Sequence, residues 1–352
     1  MKGLVFVPGI MGSVLVNASG RVWPPTVIEA IAGYRRVEEL LGEDVEATEP
    51  LRNVGPMGFY RSLLDDLAAC GYVEGGEDRR LVSFPYDWRR SNQVSAAALA
   101  DHLDREFADA PADLEITFIA HSMGGLVCRF ILESGAFSDR PWFSRIRRLM
   151  TLGTPQVGAP LALHRLSGRA KAVGLSGADI KRVGNDPRYP STFELVAPVR
   201  SALTTDNPQR DELPKGIDPF DEGIVDRLGL NPDNVAAARD FWSHLDVSQR
   251  PDDVDYFFVV GSAMKTLVGN RWSGPNRDPD PVEEKTSGDG TVPIASAQIV
   301  GIPYLHSRKK HATIFADRRV RKFLYRVLDA PEEAEPLSAG AISSVGAEEA
   351  IG

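Results

Sequence analysis

Glu115-Ile116-Thr117-Phe118-Ile119-Ala120-His121-Ser122-Met123-Gly124-Gly125-Leu126-Val127 is the stretch on which the reading of this chain turns. Its first part, Glu115 to Ala120, is a short apolar run, the pattern of a strand buried on both faces of a parallel sheet. Its last part opens the helical run Leu126 to Leu132. Between strand and helix stands a serine with small residues around it. Ala120 occupies the first small position, where glycine is usual, and Gly124 the second. Such a turn forces a strained backbone that lifts the serine hydroxyl above the edge of the sheet. The context therefore predicts Ser122 as a nucleophile.

Working outward, similar apolar runs recur at Gly3 to Val7, Leu81 to Phe84, Arg148 to Gly153 and Asp255 to Gly261. Amphipathic stretches at Tyr60 to Cys70 and Val94 to Phe107 lie between them, and a last one runs from Thr313 to Leu328. Strand and helix alternate, which predicts an α/β fold: a mostly parallel central sheet with helices on both faces. Two segments, about 13–58 and 156–254, break the alternation and read as insertions that form a cap or lid. Residues 1–330 are expected to form this single domain. Residues 331–352, with almost nothing to bury, are expected to be a disordered tail.

Composition narrows the function. Of the 352 residues, 43% are hydrophobic and 25% charged, which is ordinary for a packed enzyme. A net charge of -9 argues against nucleic-acid binding, since phosphate recognition needs a basic surface. The clusters Arg145, Arg147, Arg148 and Arg308, Lys309, Lys310 read as solvated faces. The N-terminal run flows into Pro8-Gly9 as a strand rather than a signal peptide, and no stretch approaches the ~20 apolar residues of a spanning helix. Two cysteines, Cys70 and Cys128, make no disulfide framework or metal pattern, so a cytoplasmic location is expected, and with no metal cluster or phosphate-binding glycine loop neither a metal nor a cofactor is expected.

A serine needs a base, and the base needs a carboxylate to fix its tautomer. In a fold of this kind they follow the serine in the order acid, histidine. That order excludes His102, and His121 points away at the turn. His311, directly before the last helix, is the favoured base and His306 its competitor; His164 and His244 fall in the second insertion. Asp289, between Gly288 and Gly290, is the candidate acid, better placed than Asp255, Glu283 or Glu284. Backbone N–H donors for an oxyanion are expected from Met123 and from the loop Val7 to Gly12, with Ile10 assigned and Met11 the alternative.

Taken with Val7-Pro8-Gly9-Ile10-Met11-Gly12-Ser13, Phe84-Pro85-Tyr86-Asp87-Trp88-Arg89, Thr151-Leu152-Gly153-Thr154-Pro155 and Gly288-Asp289-Gly290-Thr291-Val292, the serine turn and His311 resemble the lecithin:cholesterol acyltransferase family of α/β-hydrolases, which includes lysosomal phospholipases and bacterial members. The resemblance implies a Ser122–Asp289–His311 triad, an acyl-enzyme, and Ile10 and Met123 as oxyanion donors. It leaves Asp87, Trp88 and Arg89 as supports beside the turn. Secreted relatives carry a signal and a disulfide, and neither is expected here. Val22-Trp23-Pro24-Pro25 is an apolar spot that either packs or touches lipid. The expected activity is ester hydrolysis on an ester or lipid-like substrate. Acyl transfer to an alcohol and a silent binding module are the alternatives. The hydrolytic rate is expected to rise with pH as His311 deprotonates, because only neutral imidazole accepts the serine proton.

Overall fold

The computed structural model describes residues 1–55, 57–196, 203–204, 216–274 and 276–330. The expected tail, 331–352, lies outside the described residues. The chain opens with β1 (Lys2–Val7) and then leaves the main body. Strands β2 (Ser13–Asn17), β3 (Gly20–Trp23) and β4 (Glu46–Pro50) form a small antiparallel sheet, and β5 (Asn53–Val54) pairs with β6 (Met57–Gly58). The main body resumes with helix Arg61–Ala69, β7 (Val73–Glu74), β8 (Arg79–Ser83), helix Asn92–Glu106, β9 (Glu115–His121), helix Met123–Glu133 and β10 (Ile146–Leu152). A second excursion carries helices Pro160–Leu166, Gly177–Gly184 and Pro232–Ser243, with the short β11 (Leu203–Thr204). Then come β12 (Asp255–Gly261), β13 (Met264–Arg271), β14 (Asp280–Gly288) and β15 (Tyr304–Ser307).

Seven strands make one sheet in the order β15-β12-β10-β9-β1-β8-β7, and every neighbouring pair is parallel. This is the α/β-hydrolase arrangement. Alternation along the strands explains its two covered faces. On one side Val5, Val7, Phe118 and Phe258 pack with Leu99 and Leu103 of helix Asn92–Glu106 and with helix Met123–Glu133. On the other, Leu4, Phe6, Ile119 and Val259 pack with Leu63, Leu64 and Leu67 and with Val320 and Leu324 of the last helix. The central strands β1 and β9 are almost wholly buried because neither face meets water.

The strand order reverses around β1, since β8 and β7 lie to one side and β9, β10, β12 and β15 to the other. Ligands in open α/β sheets bind beyond the carboxyl ends of strands at such a switch point. The loop after β1 and the turn after β9 meet there. Gly124 is what lets them meet: a Cβ on it would stand 2.4 Å from the Pro8 carbonyl oxygen and 2.5 Å from that of Val7. Both are backbone atoms at the end of a central strand and cannot retreat. Gly124→Ala is therefore expected to cost about 1–3 kcal/mol, measured as a lower urea midpoint at unchanged slope.

The two excursions touch each other. Tyr34 N–H donates to the Gly174 carbonyl at 2.8 Å, and the Tyr189 hydroxyl to that of Gly42 at 2.7 Å. Arg182 pairs with Glu38, and Arg188 with Glu43.

One detail differs from expectation, and the approach to Asp289 adds another that the sequence did not signal. The last helix does not run unbroken from Thr313. A 3-10 turn, His311–Ala316, ends at Asp317, whose extended backbone and side chain cap a fresh helix, Arg318–Val327, through the Arg319 N–H at 2.8 Å. And β12 does not lead straight to Asp289: the β13–β14 hairpin intervenes and delivers Asp289 from its end. Among the described residues no helix is long and apolar enough to cross a membrane.

Candidate active site

Ser122 follows β9 with φ 52 and ψ −127, a backbone conformation that costs an L residue of order 1–3 kcal/mol. Neighbouring groups hold it there. Ser122 N–H donates to the Leu152 carbonyl at 2.9 Å, while its own carbonyl accepts from Thr154 Oγ1 at 2.8 Å and from Gly125 N–H at 3.0 Å. Thr154 belongs to the string Thr151 to Pro155, so that string anchors the turn.

The Ser122 hydroxyl lies 2.9 Å from His311 Nε2, and His311 Nδ1 lies 2.7 Å from Asp289 Oδ2. The carboxylate can only accept, so Nδ1 carries the proton and Nε2 is left to accept from Ser122. Asp289 is itself fixed: its Oδ1 accepts from Thr291 N–H at 2.9 Å and Val292 N–H at 2.7 Å, and its carbonyl accepts from His311 N–H at 2.9 Å. Two glycines make room for the pair. A Cβ on Gly153 would stand 3.0 Å from Asp289 Oδ2 and 3.1 Å from His311 Nδ1, and one on Gly261 would stand 2.3 Å from Asp289 Cβ.

Ile10 and Met123 both reach the site. Met123 is the first residue of its helix, where an N–H has no intrahelical acceptor. Ile10 and Met11 line the cavity above Ser122. Met11 has φ 62, and its carbonyl accepts from Trp23 Nε1 at 2.9 Å, which fixes the loop. Tyr86 of the Phe84 to Arg89 string donates to the Pro8 carbonyl at 2.9 Å.

The remaining candidates stand elsewhere. His306 is exposed on the edge strand β15, its ring against Tyr304. His102, His164 and His244 lie outside the serine's contacts, Asp255 is exposed at the start of β12, and Glu283 pairs with Lys265. Asp87 and Arg89 form a bidentate pair at 2.8 Å, with Arg89 over the Tyr189 ring at 4.3 Å and bonded to the Gly42 carbonyl at 3.0 Å. Trp88 packs edge-on against Trp23 at 5.4 Å, and Trp23 forms the cavity wall.

Sequence reasoning missed a relay behind the serine. Gly9 N–H donates to the Tyr60 hydroxyl at 2.9 Å, so the phenolic proton points to His121 Nδ1 at 2.7 Å. His121 Nε2–H then meets the His311 carbonyl at 3.1 Å. Burial, followed by the nearby His311, holds the His121 pKa well below its usual range, so the ring stays neutral as the relay requires. The loop after β1 and the backbone of His311 are thereby tied to one another. Tyr60→Phe leaves the buried Gly9 N–H and His121 Nδ1 without partners. It is expected to cost about 1–3 kcal/mol of stability and roughly tenfold in kcat, read from parallel denaturant melts and initial rates.

The cavity above these groups measures about 130 Å³ and is walled by Trp23, Pro24, Leu51, Val54, Phe59 and Leu195 among others. Residues 15–181 match lecithin:cholesterol acyltransferase. The matched stretch contains Ser122 and stops short of Asp289 and His311, so those two rest on the geometry above. An uncharacterized protein of Saccharomyces cerevisiae, YJR098C, is 31% identical over 142 residues, 37% of this chain and 20% of that protein. The chain thus matches only a fifth of that relative's length. Among solved structures, a chain of the Tle4–Tli4 complex superposes with TM-score 0.61 at 14% identity, covering 95% of this chain and 99% of that one. Bacillus licheniformis lipase BlEst2 in mature form gives TM-score 0.45 at 13% identity, covering 94% and 92%. At such identities the first likeness concerns the fold alone.

Proposed function

We propose that the chain is a serine-dependent carboxylic ester hydrolase acting on lipid-like esters. The observation that carries this reading is the unbroken hydrogen-bond line Asp289–His311–Ser122 on the floor of an apolar cavity. Ser122 Oγ attacks the ester carbonyl while His311 Nε2 takes its proton. The oxyanion is received by the N–H groups of Ile10 and Met123. Collapse expels the alcohol, which takes the proton from His311, and water then attacks the acyl-enzyme by the same route in reverse. Asp289 stays ionised and stabilises the imidazolium. No step in this sequence calls for a cofactor or metal.

Lipid-like substrates are supported by the family match and by the apolar walls. Ile28 and Ile31, 77% and 78% exposed on the short helix Val27–Ala32, are apolar groups suited to transient contact with a lipid surface. The segments 13–58 and 156–254 supply most of those walls, which supports reading them as the cap over a hydrolase domain of residues 1–330. Cys70 and Cys128 are both free and buried, in keeping with a reducing compartment such as the cytoplasm. The family's name favours acyl transfer to an alcohol as the second reading, tested by adding alcohol acceptors and looking for transesterified product.

The test is hydrolysis of a p-nitrophenyl ester series from acetate to palmitate, together with labelling by a fluorophosphonate. Label is expected on the peptide carrying Ser122. A cavity of about 130 Å³ resembles one that holds a single aromatic ring, so short esters are expected to lead the series. No label and no turnover on any ester would favour a silent binding module instead.

A further inference from the structure

Among the described residues the cavity wall contains one ionic side chain, the histidines aside. Arg165 lies on helix Pro160–Leu166, one turn on from Leu161, so the two share the face that lines the cavity. Its Nε is buried without a hydrogen-bond partner, and among the described residues no hydrogen bond or ion pair reaches its guanidinium. Burial lowers its pKa from 12.5 to about 10, with no carboxylate near enough to oppose the shift, and it remains a cation at neutral pH. Among the described residues, arginines buried elsewhere are matched: Arg89 with Asp87, Arg129 with Glu133, and the largely buried Arg321 with Asp66.

A half-buried cation whose Nε has no partner is unfavourable, and proteins ordinarily remove such a group by pairing or replacement. Arg165 instead stands unpaired in the cavity wall, and its guanidinium is a planar fork of donors. That fork matches the oxygens of a phosphate or a carboxylate. We propose that Arg165 binds an anionic group carried by the ester substrate, and so sets a preference for esters bearing a negative charge away from the scissile bond. The proposal rests on the reading of this cavity as the ester-hydrolase site.

Initial rates on two matched pairs test it, using wild type, Arg165→Met and Arg165→Lys. Dibutyrylglycerol against dibutyrylglycerol phosphate places the charge on the alcohol side. p-Nitrophenyl hexanoate against mono-p-nitrophenyl adipate places it on the acyl side. In at least one pair the wild type is expected to favour the charged ester by tenfold or more in kcat/KM. Methionine should abolish that preference through KM, and lysine should keep part of it. Calorimetry with the Ser122→Ala chain reads the same contact without turnover. Dibutyrylglycerol phosphate or mono-p-nitrophenyl adipate should bind at least tenfold more weakly once Arg165→Met is added.

Because the cation is unpaired, Arg165→Met should also raise Tm by a few degrees, whereas a merely structural arginine would lower it. The proposal is overturned if neither preference depends on residue 165, if both affinities survive methionine, or if inorganic phosphate alone competes as well as the charged ester. Should the wild type hydrolyse no ester, the hydrolase reading fails while calorimetry still decides Arg165.

Discussion

Asparagine in place of Asp289 is expected to lower kcat on a small ester by about 10⁴ while leaving KM within a few-fold. The reason lies in the proton count. The oxygen of the new carboxamide would keep accepting from Thr291 and Val292 N–H, as the carboxylate does at 2.9 and 2.7 Å, so its NH₂ would face His311 Nδ1. A donor there forces the imidazole to turn its lone pair to Nδ1 and its proton to Nε2. That nitrogen, 2.9 Å from the Ser122 hydroxyl, can then no longer accept the serine proton. Shape is preserved and the tautomer is wrong. Ser122→Ala should fall at least as far, to the level left by binding and the oxyanion donors. Near-UV circular dichroism would show both variants folded. A loss under tenfold for Asp289→Asn would remove Asp289 from the proposed role.

Glu133→Ala is expected to destabilise the chain by about 3–5 kcal/mol. Arg129 and Glu133 lie one turn apart on the helix that follows Ser122, with side chains 3% and 0% exposed, and bond at 2.7 and 2.8 Å. Arg129 also donates to the Gln156 carbonyl at 2.7 Å, and the Tyr256 hydroxyl donates to Glu133 at 3.2 Å. Removing the carboxylate strands a buried guanidinium that cannot reach water. The measurement is urea denaturation of the single variant beside the double variant Arg129→Leu, Glu133→Leu. With both charges gone the double variant should recover most of the loss, since an apolar pair of similar volume replaces a buried ion pair at little cost. Equal losses in the two would mean that packing, not charge, is what matters at this position.

The central strands were legible because burial on both faces leaves an uninterrupted apolar signature, seen in Leu4 to Val7 and Phe118 to Ala120. The serine turn was legible because its small residues sit between a strand and a helix. What escaped was set by three-dimensional closeness or by weak periodicity. Strand β14 alternates exposed and half-buried residues such as Glu283 and Glu284, so it carries no core signal. Edge strands β7 and β15 are too short for a pattern. Asp317 did carry one, a capping residue ahead of Arg318 and Arg319, masked by apolar residues on either side. The Tyr60–His121 relay joins positions 61 apart. Gly153 and Gly261 reveal their purpose only once Asp289 arrives beside them.

The seam between segments 13–58 and 156–254 bears on how such a chain can diversify. The proposed triad hangs from the sheet, whereas most of the cavity wall comes from two stretches that bond to one another through Tyr34 and Gly174, Glu38 and Arg182, Glu43 and Arg188. Recombination that exchanged one stretch alone would leave a mismatched seam. Exchanged together, they would bring new walls to an unchanged floor, so the contacts make one module of two stretches although more than a hundred residues separate Glu38 from Arg182.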